Sequence, residues 1–186
     1  MVELEYLGAF TGILGIWLTI RQSIWCFAVG LVSVIISSYV FYQSYLFADA
    51  IQQLVFAAII LYGWRSWSSP LPSKKAPVSK SKWSELVPLF IVTSFVGVIL
   101  GYLLDRYTEA HYPWLDSILT SFCFLAQYMI AKRKIENWGL WMITNAAYIM
   151  VYLKKDLEPY AVLYAFYLLL AIYGWREWSR EIQKNA

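Results

Sequence analysis

The apolar stretches of this chain are too long and too numerous for a core surrounded by water. A helix needs about 20 mostly apolar residues to cross the hydrocarbon of a bilayer. Seven stretches approach or reach that length: Leu4–Thr19, Ile24–Tyr42, Leu46–Trp67, Ser84–Leu104, Ser117–Ala131, Trp138–Leu153 and Pro159–Trp178. In lipid every backbone amide must be satisfied within its own segment, so helices are the expected form; the alternating ten-residue pattern of barrel strands is absent. Composition points the same way. The chain is 60% hydrophobic and 15% charged, against about 45–50% and about 25% for a soluble domain. The expected fold is an all-α integral membrane protein with seven transmembrane helices. The opening "MVELEYLGAFTG" is acidic and lacks a basic leader region, so the first apolar run is expected to stay in the mature chain.

Charge orients the spans. Arg21 follows the first; Arg65, Lys74, Lys75, Lys80 and Lys82 follow the third; Lys132, Arg133 and Lys134 follow the fifth; Arg176, Arg180 and Lys184 follow the seventh. The opposite ends carry Glu3 and Glu5, an uncharged turn near Tyr45, the segment "DRYTEAHYPWLD" and the mixed "KKDLE" at Lys154–Glu158. Basic loops remain inside, which places the N-terminus outside and the C-terminus in the cytoplasm.

The chain also repeats itself. "LYGWRSW" (Leu61–Trp67) recurs as "IYGWREW" (Ile172–Trp178), Tyr62 matching Tyr173 at a shift of 111 residues. "SIW" ending at Trp25 is matched with "ENW" ending at Trp138, and Tyr39 with Tyr152. Spans one to three thus recur as five to seven, and the fourth reverses direction between them: a 3+1+3 plan of parallel repeats, of the kind that places transporter sites at the repeat interface. The expected units are residues 1–67 (first repeat), 68–83 (a cytoplasmic linker rich in Ser, Pro and Lys), 84–105 (connecting helix), 116–178 (second repeat) and 179–186 (cytoplasmic tail).

Polar residues inside the spans locate a site. Trp138, Trp141, Asn145, Tyr148 and Tyr152 fall at i, i+3, i+7, i+10 and i+14, one helix face. Gln127 shares a stripe with Phe124, Thr120 and Ser117. Asp49, Gln53 and Phe56 form a third, and the repeat equates Gln53 with Tyr164 and Phe56 with Tyr167. Each has a packing explanation beside it. Trp138 at a helix end suits an interfacial belt. Asn145 and Gln127 suit hydrogen bonds between helices, and Asp49 suits the positive end of a helix dipole. The YGWRxW endings suit interfacial anchors with close-packing glycines. The convergence of indoles, phenols, side-chain amides and one carboxylate favours a pocket, one suited to a flat heterocycle with polar edges and, if that ring is cationic, to attraction by the aromatic faces.

The segments "WLDS…AKRKIENWGLWMITN" (Trp114–Asn145), "FADAIQQ" (Phe47–Gln53) and both YGWRxW endings resemble the PnuC vitamin transporters over nearly the whole chain, most specifically in Asn137-Trp138-x-x-Trp141-x-x-x-Asn145. The resemblance implies a SWEET-like architecture, a homotrimer in the bacterial inner membrane, and facilitated diffusion of nicotinamide riboside with trapping by a cytoplasmic kinase. Thiamine and riboflavin are the substrates of relatives and stand as alternatives. It also implies that Trp138, Trp141, Asn145 and Gln127 contact substrate, and Gln53, Tyr148, Tyr164 and Asp49 complete the expected site. Many members carry Asp where this chain has Asn145, a departure that bears on which vitamin is taken.

Other classes fit less well. No Gly-rich phosphate loop is present, so no ATP-driven motor is expected. The single histidine, His111, lies in an exterior loop, and no carboxylate pair lies within the spans, which leaves acid–base catalysis without its groups. A retinal receptor would need a lysine in the last span, and none lies between Pro159 and Trp175. The two cysteines, Cys26 and Cys123, read as small buried hydrophobes. No cofactor, metal or nucleic-acid partner is expected; the expected partners are the vitamin, membrane lipid and two further copies of the chain.

Overall fold

A computed structural model describes residues 2–43, 45, 47–68, 78–108, 112–154 and 156–185. Lys74, Lys75, His111, Lys155 and the Leu46 start of the third span lie outside the described residues. Among those described there are seven helices: α1 (Val2–Ile20), α2 (Trp25–Gln43), α3 (Phe47–Ser68), α4 (Trp83–Tyr107), α5 (Pro113–Ala131), α6 (Glu136–Lys154) and α7 (Glu158–Asn185). α5 opens on Pro113, which suits a first turn whose amides have no partner. α7 continues past Trp178 to Asn185, taking the expected tail into the helix.

By length and apolar composition alone, α2, α4 and α5 qualify as membrane spans. In α3, α6 and α7 the apolar residues are diluted by the amides and phenols that face inward. The outward surface is apolar: Tyr6, Phe10, Ile35, Ile91, Phe95 and Val162 are each more than 60% exposed. So broad an apolar exterior belongs against acyl chains.

The helices close into a ring in the order α1, α2, α3, α5, α6, α7 and back to α1, with α4 outside it on α5. Half a turn about the ring axis exchanges α1 with α5, α2 with α6 and α3 with α7. The register of this exchange is constant. α1 and α5, α2 and α6, and the starts of α3 and α7 all differ by 111 residues. The same shift relates the residues in left-handed conformation that turn the chain: Gln22 (φ 51°) to Arg133 (φ 53°), and Tyr45 (φ 60°) to Asp156 (φ 55°).

That register corrects one sequence pairing. Trp138 corresponds to Phe27, not Trp25, and Tyr152 to Phe41, not Tyr39. The physical requirement at this position is a flat ring against a glycine, which Phe meets as well as Trp. A Cβ on Gly63 would lie 2.5 Å from the Phe27 ring, and one on Gly174 2.6 Å from the Trp138 ring. Gly139, the residue after Trp138, has no such contact: its Cβ would meet Trp175 at an ordinary 3.5 Å. The seam between α4 and α5 is also glycine-built, since a Cβ on Gly101 would lie 2.7 Å from the Trp114 indole.

The ends bearing most of the basic residues are stitched together. The segment entering α4 pairs with the α5–α6 turn through Ser79 N–H to Arg133 O (3.1 Å) and Ile135 N–H to Ser79 O (3.1 Å). Ser81 N–H donates to Glu136 Oε1 (2.8 Å), and Lys134 Nζ meets Glu85 Oε2 at 3.3 Å.

Candidate binding site

The ring encloses a cavity of about 280 Å3. α6 contributes Trp138, Trp141, Asn145 and Tyr148, the expected single face; α5 adds Gln127 and Cys123. α3 supplies Gln52, Gln53 and Phe56, and α7 supplies Tyr164 and Tyr167. On the far side, α1 and α2 present Gly12, Gly15 and Gly30 with Cys26 and Phe27. The structure therefore brings together Trp138, Trp141, Asn145, Gln127, Gln53, Tyr148 and Tyr164. Asp49 sits in the first turn of α3, partly exposed, one turn outward from Gln53 and not on the cavity wall.

Rings held by rings give the wall its shape. Tyr148 lies 5.1 Å from Tyr164, Tyr152 lies 5.0 Å from Tyr164 and 5.4 Å from Tyr160, and Tyr164 lies 5.6 Å from Tyr167. Such centroid spacings are those at which offset and tilted aromatic pairs attract. Between the adjacent helices α3 and α5, Phe56 meets Phe124 edge-on at 4.9 Å, and the Thr120 hydroxyl donates to Gln52 Oε1 at 3.5 Å. Trp138 is 2% exposed and packs edge-on against Trp178 at 5.4 Å. Its indole N–H has no hydrogen-bond partner among the described residues. A buried donor left unpaired costs about 1–3 kcal/mol. Asn145, 4% exposed, lies one helical turn beyond Trp141 on the same wall.

No lysine, arginine, aspartate or glutamate is among the lining residues. Ligands here meet aromatic faces, amides, hydroxyls and thiols, so a cation would be held by ring quadrupoles and an anion would find no countercharge. The charged groups gather at the basic end instead. The Arg133 guanidinium stacks over the Trp67 ring at 4.0 Å and donates to Gln22 Oε1 at 3.4 Å, while Gln22 Nε2 donates to Glu181 Oε2. Burial lowers the pKa of Arg133 and nearby Glu181 opposes that; an arginine stays protonated regardless. Lys132, over the Tyr62 and Tyr128 rings, has its pKa raised, first by hydrogen bonding to Tyr62.

The packing explanations sort unevenly. Trp138 and Trp178 are both buried, so neither is a belt residue. Trp178 Nε1 donates to the Ile20 carbonyl and Trp67 Nε1 to the Ala131 carbonyl, so the second tryptophan of each YGWRxW ending ties helix ends together. Sequence reasoning left Gln52 and the three glycines out of the site. The glycines left a trace: Gly8, Gly12 and Gly15 recur at helical spacing on α1. Cys26 and Cys123 are buried, as read, and both also touch the cavity.

A family model described as nicotinamide mononucleotide transporter matches residues 3–180. Among curated proteins, the nicotinamide riboside transporter PnuC of Escherichia coli (strain K12) is 23% identical, over 98% of this chain and 87% of that protein. The PnuC of Neisseria mucosa is 24% identical, over 98% of this chain and 74% of that one. The riboflavin/roseoflavin transporter RibM of Streptomyces davaonensis is 24% identical, over 94% and 83% respectively. A crystal structure of the vitamin B3 transporter PnuC superposes with a TM-score of 0.79 at 21% identity, covering 98% of this chain and 83% of that one.

Proposed function

The chain belongs to the nicotinamide mononucleotide transporter family, that of the PnuC proteins, and from that premise we propose that it carries nicotinamide riboside across the bacterial inner membrane by facilitated diffusion. The supporting observation is a cavity with aromatic faces and side-chain amides and no fixed charge on its wall. The pyridinium ring of the riboside is a cation without an anion. Indole and phenol faces attract it by ~2 kcal/mol once water is excluded. The amides of Asn145 and Gln127 both donate and accept, as its carboxamide requires, and Gln53 and Tyr164 stand where ribose hydroxyls can be met.

The same wall argues against the mononucleotide, whose phosphate would enter a cavity with no lysine or arginine beside it. Size argues against riboflavin. A cavity of about 150 Å3 holds one benzene-sized ring, so about 280 Å3 suits one ring and one sugar better than three fused rings and a chain. Thiamine, with two small rings and a positive charge, is the second reading. Binding of nicotinamide riboside, its mononucleotide, thiamine and riboflavin to purified protein separates these. Heat from the riboside with silence from the mononucleotide supports the proposal, and heat from thiamine alone replaces it.

The basic ends on one side support an outside N-terminus and a cytoplasmic C-terminus. The register of 111 supports residues 1–67 and 116–178 as the two moving units, rocking about the cavity between them, with residues 84–105 connecting them. The broad apolar exterior supports contact with lipid and with further copies in a homotrimer. Without a motor, net uptake requires that a cytoplasmic kinase consume the product.

A further inference from the structure

The constant shift of 111 residues gives each cavity residue a partner across the ring axis. Trp141 is opposite Gly30, Cys123 is opposite Gly12, and Ala126 is opposite Gly15. Where the second triplet projects an indole, the first projects nothing. The two glycine backbones also approach each other, because a Cβ on Gly15 would lie 3.8 Å from the Gly30 nitrogen. Gly12, Gly15 and Gly30 all line the cavity, and so does Trp138, whose buried indole N–H has no protein partner.

We propose that Gly15 and Gly30 are specificity-determining residues: their bare backbones form the flat wall against which the planar ring of the substrate lies, its other face on Trp141. This rests on the proposed function, which it deepens by assigning the glycine side of the site. A bare backbone facing an indole suits a flat ring, and such a wall rejects a ring that is puckered or carries a group out of plane.

These glycines are unlike those that serve packing. At Gly63 and Gly174 an added Cβ would overlap a neighbouring ring at 2.5–2.6 Å. At Gly30 the nearest atom to an added Cβ is Ile60 Cδ1 at 3.5 Å, and at Gly15 the nearest is 3.8 Å away, both ordinary contacts. The protein itself has room for a methyl at either position. Alanine is also the better helix former, so these substitutions should not lower thermal stability, while the methyl at Gly30 narrows the wall and the methyl at Gly15, set against the Gly30 backbone, covers it. Stability kept while affinity falls is a signature that a merely structural glycine does not give.

The test is calorimetric titration of nicotinamide riboside, thiamine and riboflavin into wild type, Gly15→Ala, Gly30→Ala and Gly30→Val, with thermal midpoints of each. Gly139→Ala, off the cavity and 3.5 Å from Trp175, is the control. Expected are unchanged or higher midpoints for the alanine variants, with affinity for the bound vitamin falling at least about tenfold in Gly30→Ala and further in Gly30→Val, while Gly139→Ala binds as wild type. Wild-type affinity in Gly15→Ala and Gly30→Ala overturns the glycine wall and leaves the transport reading standing. Thiamine binding that shows the glycine sensitivity overturns the choice of vitamin and keeps the wall. Absence of binding by all three vitamins to wild type overturns both.

Discussion

Trp67 and Trp178 make the same hydrogen bond in opposite directions across the molecule. Trp67 Nε1 donates to the carbonyl of Ala131, the last residue of α5, and Trp178 Nε1 to the carbonyl of Ile20, the last residue of α1, each at 3.2 Å. The last carbonyls of a helix have no partner within it, so each indole closes the end of a helix in the other triplet. The two bonds fasten the basic end of the ring.

Removing one donor should therefore cost stability in proportion to burial. Trp178→Phe keeps a ring but strands the Ile20 carbonyl in a site with no access to water, and a loss of about 1–3 kcal/mol is expected. Trp67 is half-buried and its bond to Ala131 only partly so, and Trp67→Phe should cost less because the bond it removes is less completely shielded. Denaturation midpoints of the two variants in one detergent give the order; equal effects would show that burial does not set the cost.

The aromatic-on-glycine contacts predict a second asymmetry, between substitutions that look alike. Gly63→Ala and Gly174→Ala push a Cβ into the Phe27 and Trp138 rings and should destabilise by about 1–3 kcal/mol. Gly174→Ala should also weaken ligand binding, because the ring it displaces lines the cavity. Gly63→Ala displaces Phe27 on the opposite wall and should be milder in binding. Thermal melts with titrations of the same preparations check this, and a normal melt for Gly174→Ala would contradict the contact.

Passive movement of a cation makes a third prediction, about driving force. The cavity wall carries no titratable carboxylate or amine, so uptake into proteoliposomes should be unaffected by an imposed pH gradient. The permeant pyridinium carries its own charge. An interior-negative diffusion potential of 100 mV is worth about 2.3 kcal/mol per charge and should raise its steady accumulation roughly fiftyfold. Accumulation that follows the proton gradient at zero potential would place an ion-coupling group in the path.

Much of this was legible in the sequence, for physical reasons that can be named. The α6 stripe from Trp138 to Tyr148 was visible because a helix turns 3.6 residues at a time and lipid forbids an idle amide at mid-depth. The repeat was visible in YGWRxW because those residues perform the same contact twice. The register was misread at Trp25 because like residues were paired, whereas the structure conserves a contact, ring on glycine, that Phe27 and Trp138 both satisfy. The glycine wall stayed hidden for a related reason. A residue with no side chain shows its use only when the space beside it is seen to admit a methyl, at Gly15 and Gly30, or to be filled, at Gly63 and Gly174. Burial of Trp178 was likewise unreadable, since a tryptophan near a helix end looks the same whether it faces headgroups or the Ile20 carbonyl.

The most direct measurement is calorimetric titration of nicotinamide riboside into wild type, Trp141→Ala and Asn145→Leu. Asn145→Leu is close to isosteric and replaces a nearly buried amide, so its fold should hold while the carboxamide of the ligand loses a partner. Saturable heat from wild type and loss of specific binding in both variants is the predicted result. Wild-type affinity surviving in both would mean that the cavity within the ring is not where the vitamin is held.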